Sequence, residues 1–111
     1  MASDLSFVEF CVEQMGHSDV LSFKKMFGEY AIYYGNKVIA LVCDNQLFIK
    51  PTSAGRNMIA SVDEVSPYPR AKLYFRITEH VDDNEWLREL VLLTANELPD
   101  PKPKKANTKK D

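Results

Sequence analysis

The sequence has little that would mark an enzyme. It holds no Gly-rich phosphate loop, no nucleophile elbow, no His-Glu-x-x-His pattern and no triad-like order of residues. The common signatures of nucleotide binding, acyl transfer and zinc hydrolysis are therefore missing. No apolar run approaches the ~20 residues that a membrane span requires. The opening stretch, MASDLSFVEF, lacks the basic segment and apolar core of a secretory signal, so a cytoplasmic chain is expected. Cysteine is scarce: Cys11 and Cys43 stand 32 positions apart, one in a helical pattern and one in a strand pattern. They read as buried free thiols rather than a disulfide or part of a zinc site. His17 and His80 complete no metal-ligand spacing. No catalytic residue, metal or cofactor is expected, and the chain is expected not to be an enzyme.

What is present describes an ordinary folded domain with one charge asymmetry. The 111 residues are 45% hydrophobic and 27% charged, enough for a single core. Residues 1–98 carry nine Lys and Arg against fourteen Asp and Glu, a net of −5, whereas residues 99–111 carry five Lys against two Asp, a net of +3. The body, residues 1–98, is acidic. The tail, PDPKPKKANTKKD, has three prolines and one apolar side chain, Ala106, and nothing in it offsets the entropy of ordering, so disorder is expected there.

The stretch from Met26 to Lys50 reads as three strands joined by two tight turns. Gly28 to Tyr34 is rich in aromatic and β-branched residues and ends at Gly35-Asn36, a pair that accepts the positive φ of a two-residue hairpin loop. Lys37 to Cys43 is short and β-branched, Asp44-Asn45 supplies a second turn, and Gln46 to Lys50 returns until Pro51 ends the pairing. Strict alternation groups Val38, Ala40 and Val42 on one face of the second strand, with Lys37, Ile39, Leu41 and Cys43 on the other. In the third strand it sets Leu47 and Ile49 against Gln46, Phe48 and Lys50. Neither face is cleanly polar. Helices are expected on one side, and on the other a partial shield from a helix, the C-terminal segment or a second copy of the chain.

These residues resemble the TfoX N-terminal domain family. The resemblance rests on Met26-Phe27-Gly28, Tyr30, Tyr33, Gly35, Ala40-Leu41-Val42, Asp44 and Leu47-Phe48-Ile49-Lys50, in that order and close spacing. It extends at the level of pattern over most of residues 5–98 and is specific over 26–50. It implies kinship with bacterial regulators associated with switching on natural-competence genes alongside the cAMP receptor protein. Those regulators usually carry a second, C-terminal domain, so the resemblance concerns the N-terminal one.

Elsewhere the pattern is helical or extended. Residues 4–15 form a helix capped by Ser3 or Asp4 and ended by Gly16, with Leu5, Val8, Cys11, Val12 and Met15 as its stripe, widened by Phe7 and Phe10. Residues 20–27, VLSFKKMF, fit either an extended lead-in or a short helical turn, with Met26 and Phe27 in the core. Thr52 or Ser53 caps a short helix through about Val62, with Met58, Ile59 and Val62 inward. Asp63 to Pro69 reads as a loop, although Ser61 to Pro69 has room for a further strand. Arg70 to Thr78 alternates, with Ala71, Leu73, Phe75 and Ile77 on one face and Arg70, Lys72, Tyr74, Arg76 and Thr78 on the other. Asp82 or Asp83 caps a last helix over residues 83–97, whose stripe is Leu87, Leu90, Val91, Thr94 and Leu98. The fold expected is α+β: a helix, a three-stranded antiparallel meander, a short helix, one or two further strands and a C-terminal helix.

Candidate contact residues fall into three groups. Arg70, Lys72, Tyr74 and Arg76 place cations and an aromatic on one strand face, a pattern for phosphates and stacked bases, or for an edge strand kept from aggregating. The lysine tail suits either a polyanion or simple solvation. Tyr30, Tyr33 and Tyr34, with Phe27 and Phe48, would line an interface or a small-molecule pocket, or pack within the sheet. The resulting expectation is a non-enzymatic regulatory or protein-interaction domain able to form a homodimer, with direct nucleic-acid binding as the alternative. Tyr30 and Tyr33 also carry the prospect of a small ligand.

Overall fold

A computed structural model describes residues 3–17, 19–26, 29–59 and 63–99. Its elements run α1 (Leu5–Met15), β1 (Leu21–Met26), β2 (Glu29–Tyr34), β3 (Lys37–Cys43), β4 (Gln46–Ile49), α2 (Ser53–Ile59), β5 (Asp63–Val65), β6 (Tyr74–Ile77) and α3 (Asn84–Glu97). The strands form one six-stranded antiparallel sheet in the order β1-β2-β3-β4-β6-β5. The α+β class and the meander are as the turn chemistry dictates. Phe27, Gly28, Ser61, Val62 and residues 100–111, which include most of the lysine tail, lie outside the described residues.

Two stretches left open by the pattern resolve as strand, and one expected strand is shorter than its alternation. Leu21–Met26 is a strand, not a helical turn, so the meander has four strands; its pairing runs from Leu21 opposite Tyr34 to Met26 opposite Glu29. Asp63–Val65, within the Ser61–Pro69 stretch that read as loop but had room for a further strand, pairs with β6 and forms the short edge strand β5. Conversely, the alternating run from Arg70 is strand only over Tyr74–Ile77. Arg70 sits in a turn at φ +73°, which breaks the extended chain before Ala71. Leu73, expected inward, is consequently exposed, and so is Leu5 at the start of α1.

A β-bulge corrects the face assignment in β3. Ile32 pairs with Ala40 and Tyr33 with Val38, leaving Ile39 as the extra residue. One extra residue reverses the alternation beyond it. Ile39 and Ala40 therefore both join Val42 in the cluster beneath the helices, while Val38 crosses to pack with Leu41 and Cys43. Lys37 shifts as well, and its Nζ donates to the Ala95 carbonyl near the end of α3 at 2.7 Å. The two turns differ too. At Gly35-Asn36 only the glycine has positive φ, whereas Asp44 and Asn45 both do, at +53° and +55°.

The helices lie on one face. Val8, Cys11 and Met15 of α1 and Leu87, Leu90, Val91 and Ala95 of α3 pack on Ile32, Ile39, Leu47, Ile49, Phe75 and Ile77, with Met58 and Ile59 of α2 at the margin. Full burial of each large apolar side chain contributes about 1.5–3 kcal/mol. The helix ends are closed by side chains. Asp83 Oδ1 accepts from the Trp86 N–H at 3.2 Å, and Thr52 Oγ1 accepts from the Gly55 N–H at 2.9 Å. Asp4, extended at the start of α1, makes no side-chain cap; its N–H donates to Asn45 Oδ1 at 2.8 Å instead.

Candidate functional site

The opposite face of the sheet carries a second, smaller cluster of Ala31, Leu41, Cys43 and Phe48, flanked by Met26, Tyr33, Val38, Val65 and Tyr74. No helix residue belongs to it among the described residues. Of the expected covers, a helix is not what lies over this cluster among the described residues. The β5–β6 loop folds over it, and Tyr68 of that loop borders a cavity shared with Leu41 and Cys43. Two hydrogen bonds fix the loop: Ser66 Oγ donates to the Ala71 carbonyl at 2.8 Å, and the Ala71 N–H to the Tyr68 carbonyl at 3.1 Å. Its outer side presents Tyr68 and Leu73, exposed by 47% and 53%, beside the exposed Arg70 and Lys72.

The expected cationic strand face is thus divided. Tyr74 and Arg76 lie on β6 and share the helix-free face, whereas Arg70 and Lys72 belong to the loop. Arg76 is already neutralised, its Nη2 lying 2.9 Å from Asp63 Oδ2 on the paired strand. Its Nε is buried and has no hydrogen-bond partner among the described residues. Lys50, which directly follows β4 and is in phase with Phe48, takes up part of the role. Burial, and then the nearby charge of Lys72, pull its pKa below the usual lysine range. Tyr74 is held above the usual tyrosine range by burial first, then by Tyr68 and Cys43. Lys50 and Lys72 thus lie within reach of each other's charge, and among the described residues Arg70 and Lys72 make no ion pair.

The aromatic group is divided as well. Tyr30 and Tyr34 pack against the cluster under the helices, Tyr30 edge-on to Phe23 at 5.9 Å and Tyr34 edge-on to His17 at 5.6 Å. Tyr33 and Phe48 belong to the helix-free face, where Lys24 lies 5.6 Å from the Tyr33 ring centre. Tyr30 borders the cavity and Tyr33 does not.

Glu29 of β2 binds backbone and hydroxyl donors rather than a cation. Its Oε1 accepts from the Ser3 N–H at 2.9 Å and the Ser3 hydroxyl at 2.7 Å, and its Oε2 from the Asp44 N–H at 3.2 Å. The Asn45 N–H adds a 2.9 Å bond to Ser3 Oγ. One carboxylate so ties the N-terminus to the β3–β4 turn. The turn was legible; that its amides would be shared with Ser3 was not, because the contact spans some 42 positions. Tyr68 was also missed, although the flanking Pro67 and Pro69 mark an aromatic held in a restricted loop.

Both thiols are free and buried, Cys11 beneath the helices and Cys43 on the far side of the sheet. Burial pushes Cys11 up to about 12. Burial, then the charge of Glu29, push Cys43 up to about 11. At neutral pH both are therefore protonated and poor nucleophiles. His17 Nε2 lies 3.2 Å from the Arg88 carbonyl, and His80 stacks on Trp86 at 4.7 Å. Among the described residues no three His, Cys, Asp or Glu converge to hold a metal, and no helix is long and apolar enough to cross a membrane.

The geometry defines an α+β domain with helices on one face of a single sheet and a loop-covered cluster on the other. The TfoX N-terminal domain model matches residues 13–97, and the chain belongs to that family. It is also 41% identical over 109 residues, 98% of this chain and 95% of the relative, to an uncharacterized 12.7 kDa protein in the trpE 5′ region of Spirochaeta aurantia.

Proposed function

We propose that this chain is a non-enzymatic regulatory domain that acts by protein contact, with the outer side of the β5–β6 loop as its contact surface. The observation that carries this reading is the coincidence of Tyr68, Arg70, Lys72 and Leu73 on one braced loop. An exposed aromatic and an exposed aliphatic, each about half accessible, sit there beside two cations. Tyrosine and arginine are the residue types most enriched where binding energy concentrates. A loop held by its own hydrogen bonds loses little further entropy on contact. Family membership supports a role in regulation, and the association of TfoX regulators with competence genes supplies the biological setting. A second copy of the chain is the first partner to test. Light scattering across a concentration series should show a dimer that Leu73→Asp abolishes; a monomer at every concentration would remove self-association from the reading.

Direct nucleic-acid binding is the second reading, and the proximity of Lys72 to Lys50 favours it. Arg70 and the lysines of the tail would add to the same field. Such binding would consist of phosphate contacts, with steep salt dependence and no sequence preference. Duplex DNA should then shift in a gel at low salt, and deletion of residues 99–111 should weaken the shift.

A further inference from the structure

Behind the loop lies a cavity of about 240 Å³ lined by Met26, Glu29, Tyr30, Leu41, Cys43 and Tyr68. Four of these six are apolar or aromatic and a fifth is a thiol. Cys43 is protonated at neutral pH, so the thiol presents a weakly polar S–H rather than an anion. Glu29 is the one charged side chain among them. Its carboxylate is held at the rim by Ser3 and Asp44, not directed there by chance of rotamer.

We infer that this cavity is a binding site for a small, uncharged aromatic molecule of one or two fused rings, carrying a single N–H or O–H donor. Three features define that class. An apolar cavity of about 150 Å³ is enough to take up benzene, so the volume here admits a fused bicycle and excludes nucleotides and peptides. The Tyr68 ring and the Met26 thioether favour contact with an aromatic ring over an aliphatic chain, while Tyr30, whose ring packs on the helix side, borders the cavity only at its edge. Glu29 repels carboxylates and phosphates, while its oxygens accept from a donor on the ring edge. The site is distinct from the loop's outer surface. Tyr68 belongs to both, with its ring against the cavity and half of its surface in solvent. A ligand in the cavity therefore sets the position of the loop that presents Tyr68 and Leu73.

The test uses the full chain and three probes: indole, benzene and indole-3-carboxylate. Indole should raise the melting temperature by roughly 5 °C at ten times its dissociation constant. Benzene should act more weakly, and indole-3-carboxylate at least tenfold more weakly than indole. Cys43→Leu fills the cavity and should abolish the indole shift. Tyr68→Ala removes the outer wall and should weaken indole at least tenfold; being half exposed, it folds even where Cys43→Leu does not. No shift with any probe at millimolar concentration overturns the inference. So does an equal response to the carboxylate, or an indole shift unchanged in Tyr68→Ala. Light scattering on the same samples reads the loop's outer surface separately, so loss of the ligand site and loss of the contact surface are distinguishable.

Discussion

On one side of the sheet, Leu47, Ile49 and Phe75 meet side chains from helices α1 and α3 with α2 at the margin, whereas on the other Leu41, Cys43 and Phe48 meet strand neighbours and a loop. Both sets are almost wholly buried. They differ in what would happen on truncation. Beneath the helices the neighbours are held by packing between α1, α3 and the sheet, with α2 and α3 also capped by Thr52 and Asp83, and they cannot follow a lost side chain. Over the second cluster, the β5–β6 loop is a cover with its outer side in water, and its internal hydrogen bonds keep its own shape while leaving it room to move inward as a unit. Equal burial thus conceals unequal rigidity, and the looser side is where the cavity and the exposed apolar residues lie.

Two truncations test this most strongly. Phe75→Ala should cost about 4 kcal/mol, because phenylalanine deletions in well-braced cores leave a cavity that does not collapse. Phe48→Ala should cost about 2 kcal/mol, since the loop can fill part of the space. Chemical denaturation with far-UV circular dichroism gives both values. Equal costs would show that the loop is as firm a lid as the helices, and the contrast would fail.

Next in size is Gly55→Ala. A Cβ at Gly55 would stand 2.8 Å from Thr52 Oγ1 and 3.3 Å from Leu90 Cδ1. The first contact breaks the cap of α2 and the second presses on α3. A cost of about 1–2 kcal/mol is expected, the sum of a lost cap and mild overpacking. A stabilised variant, as helix propensity alone would give, would show that α2 is not locked to α3.

How much of this was legible depends on the range of the interaction. The hairpin turns, the Thr52 and Asp83 caps and the α3 stripe are set by residues within four positions of each other, and pattern found them. The bulge at Ile39 was not visible, because Val38, Ile39 and Ala40 are all apolar and either phase of alternation looks acceptable. The β5–β6 loop was misjudged for a related reason. Arg70 to Thr78 alternates well in sequence, but the positive φ at Arg70 has no marker in a residue type that rarely adopts it. The candidate site suffered most: Arg70 and Lys72 were right as exposed cations, yet they belong to a loop, not to a strand shared with Tyr74 and Arg76.

Acid gives a smaller effect, and its sign follows from Glu97. That carboxylate accepts from the Ser53 and Ala54 N–H groups at the start of α2, at 2.7 and 3.0 Å. These bonds hold its pKa below the usual glutamate range. The folded value is depressed, so the stabilisation is present above the unfolded pKa and is lost as pH falls through the folded one. Glu97→Gln should flatten the part of the stability–pH curve below about pH 4.5 that belongs to this group. Because the side chain is exposed, solvent and salt screen the contribution. An unchanged acid limb would mean that the α2–α3 junction is held by apolar contact alone.

The smallest effect is the most informative about function. Tyr68→Ala and Leu73→Asp alter side chains that are about half exposed on the helix-free side, and each should change stability by no more than about 0.5 kcal/mol. A stability loss nearer that of Phe48→Ala would make the loop's apolar residues part of the core, and their exposure would then need no partner to explain it. Near-neutral stability with loss of dimer in Leu73→Asp would have the opposite meaning. Side chains that contribute little to the fold, held on a braced loop over the less rigid side of the sheet, would then be accounted for by contact with another molecule.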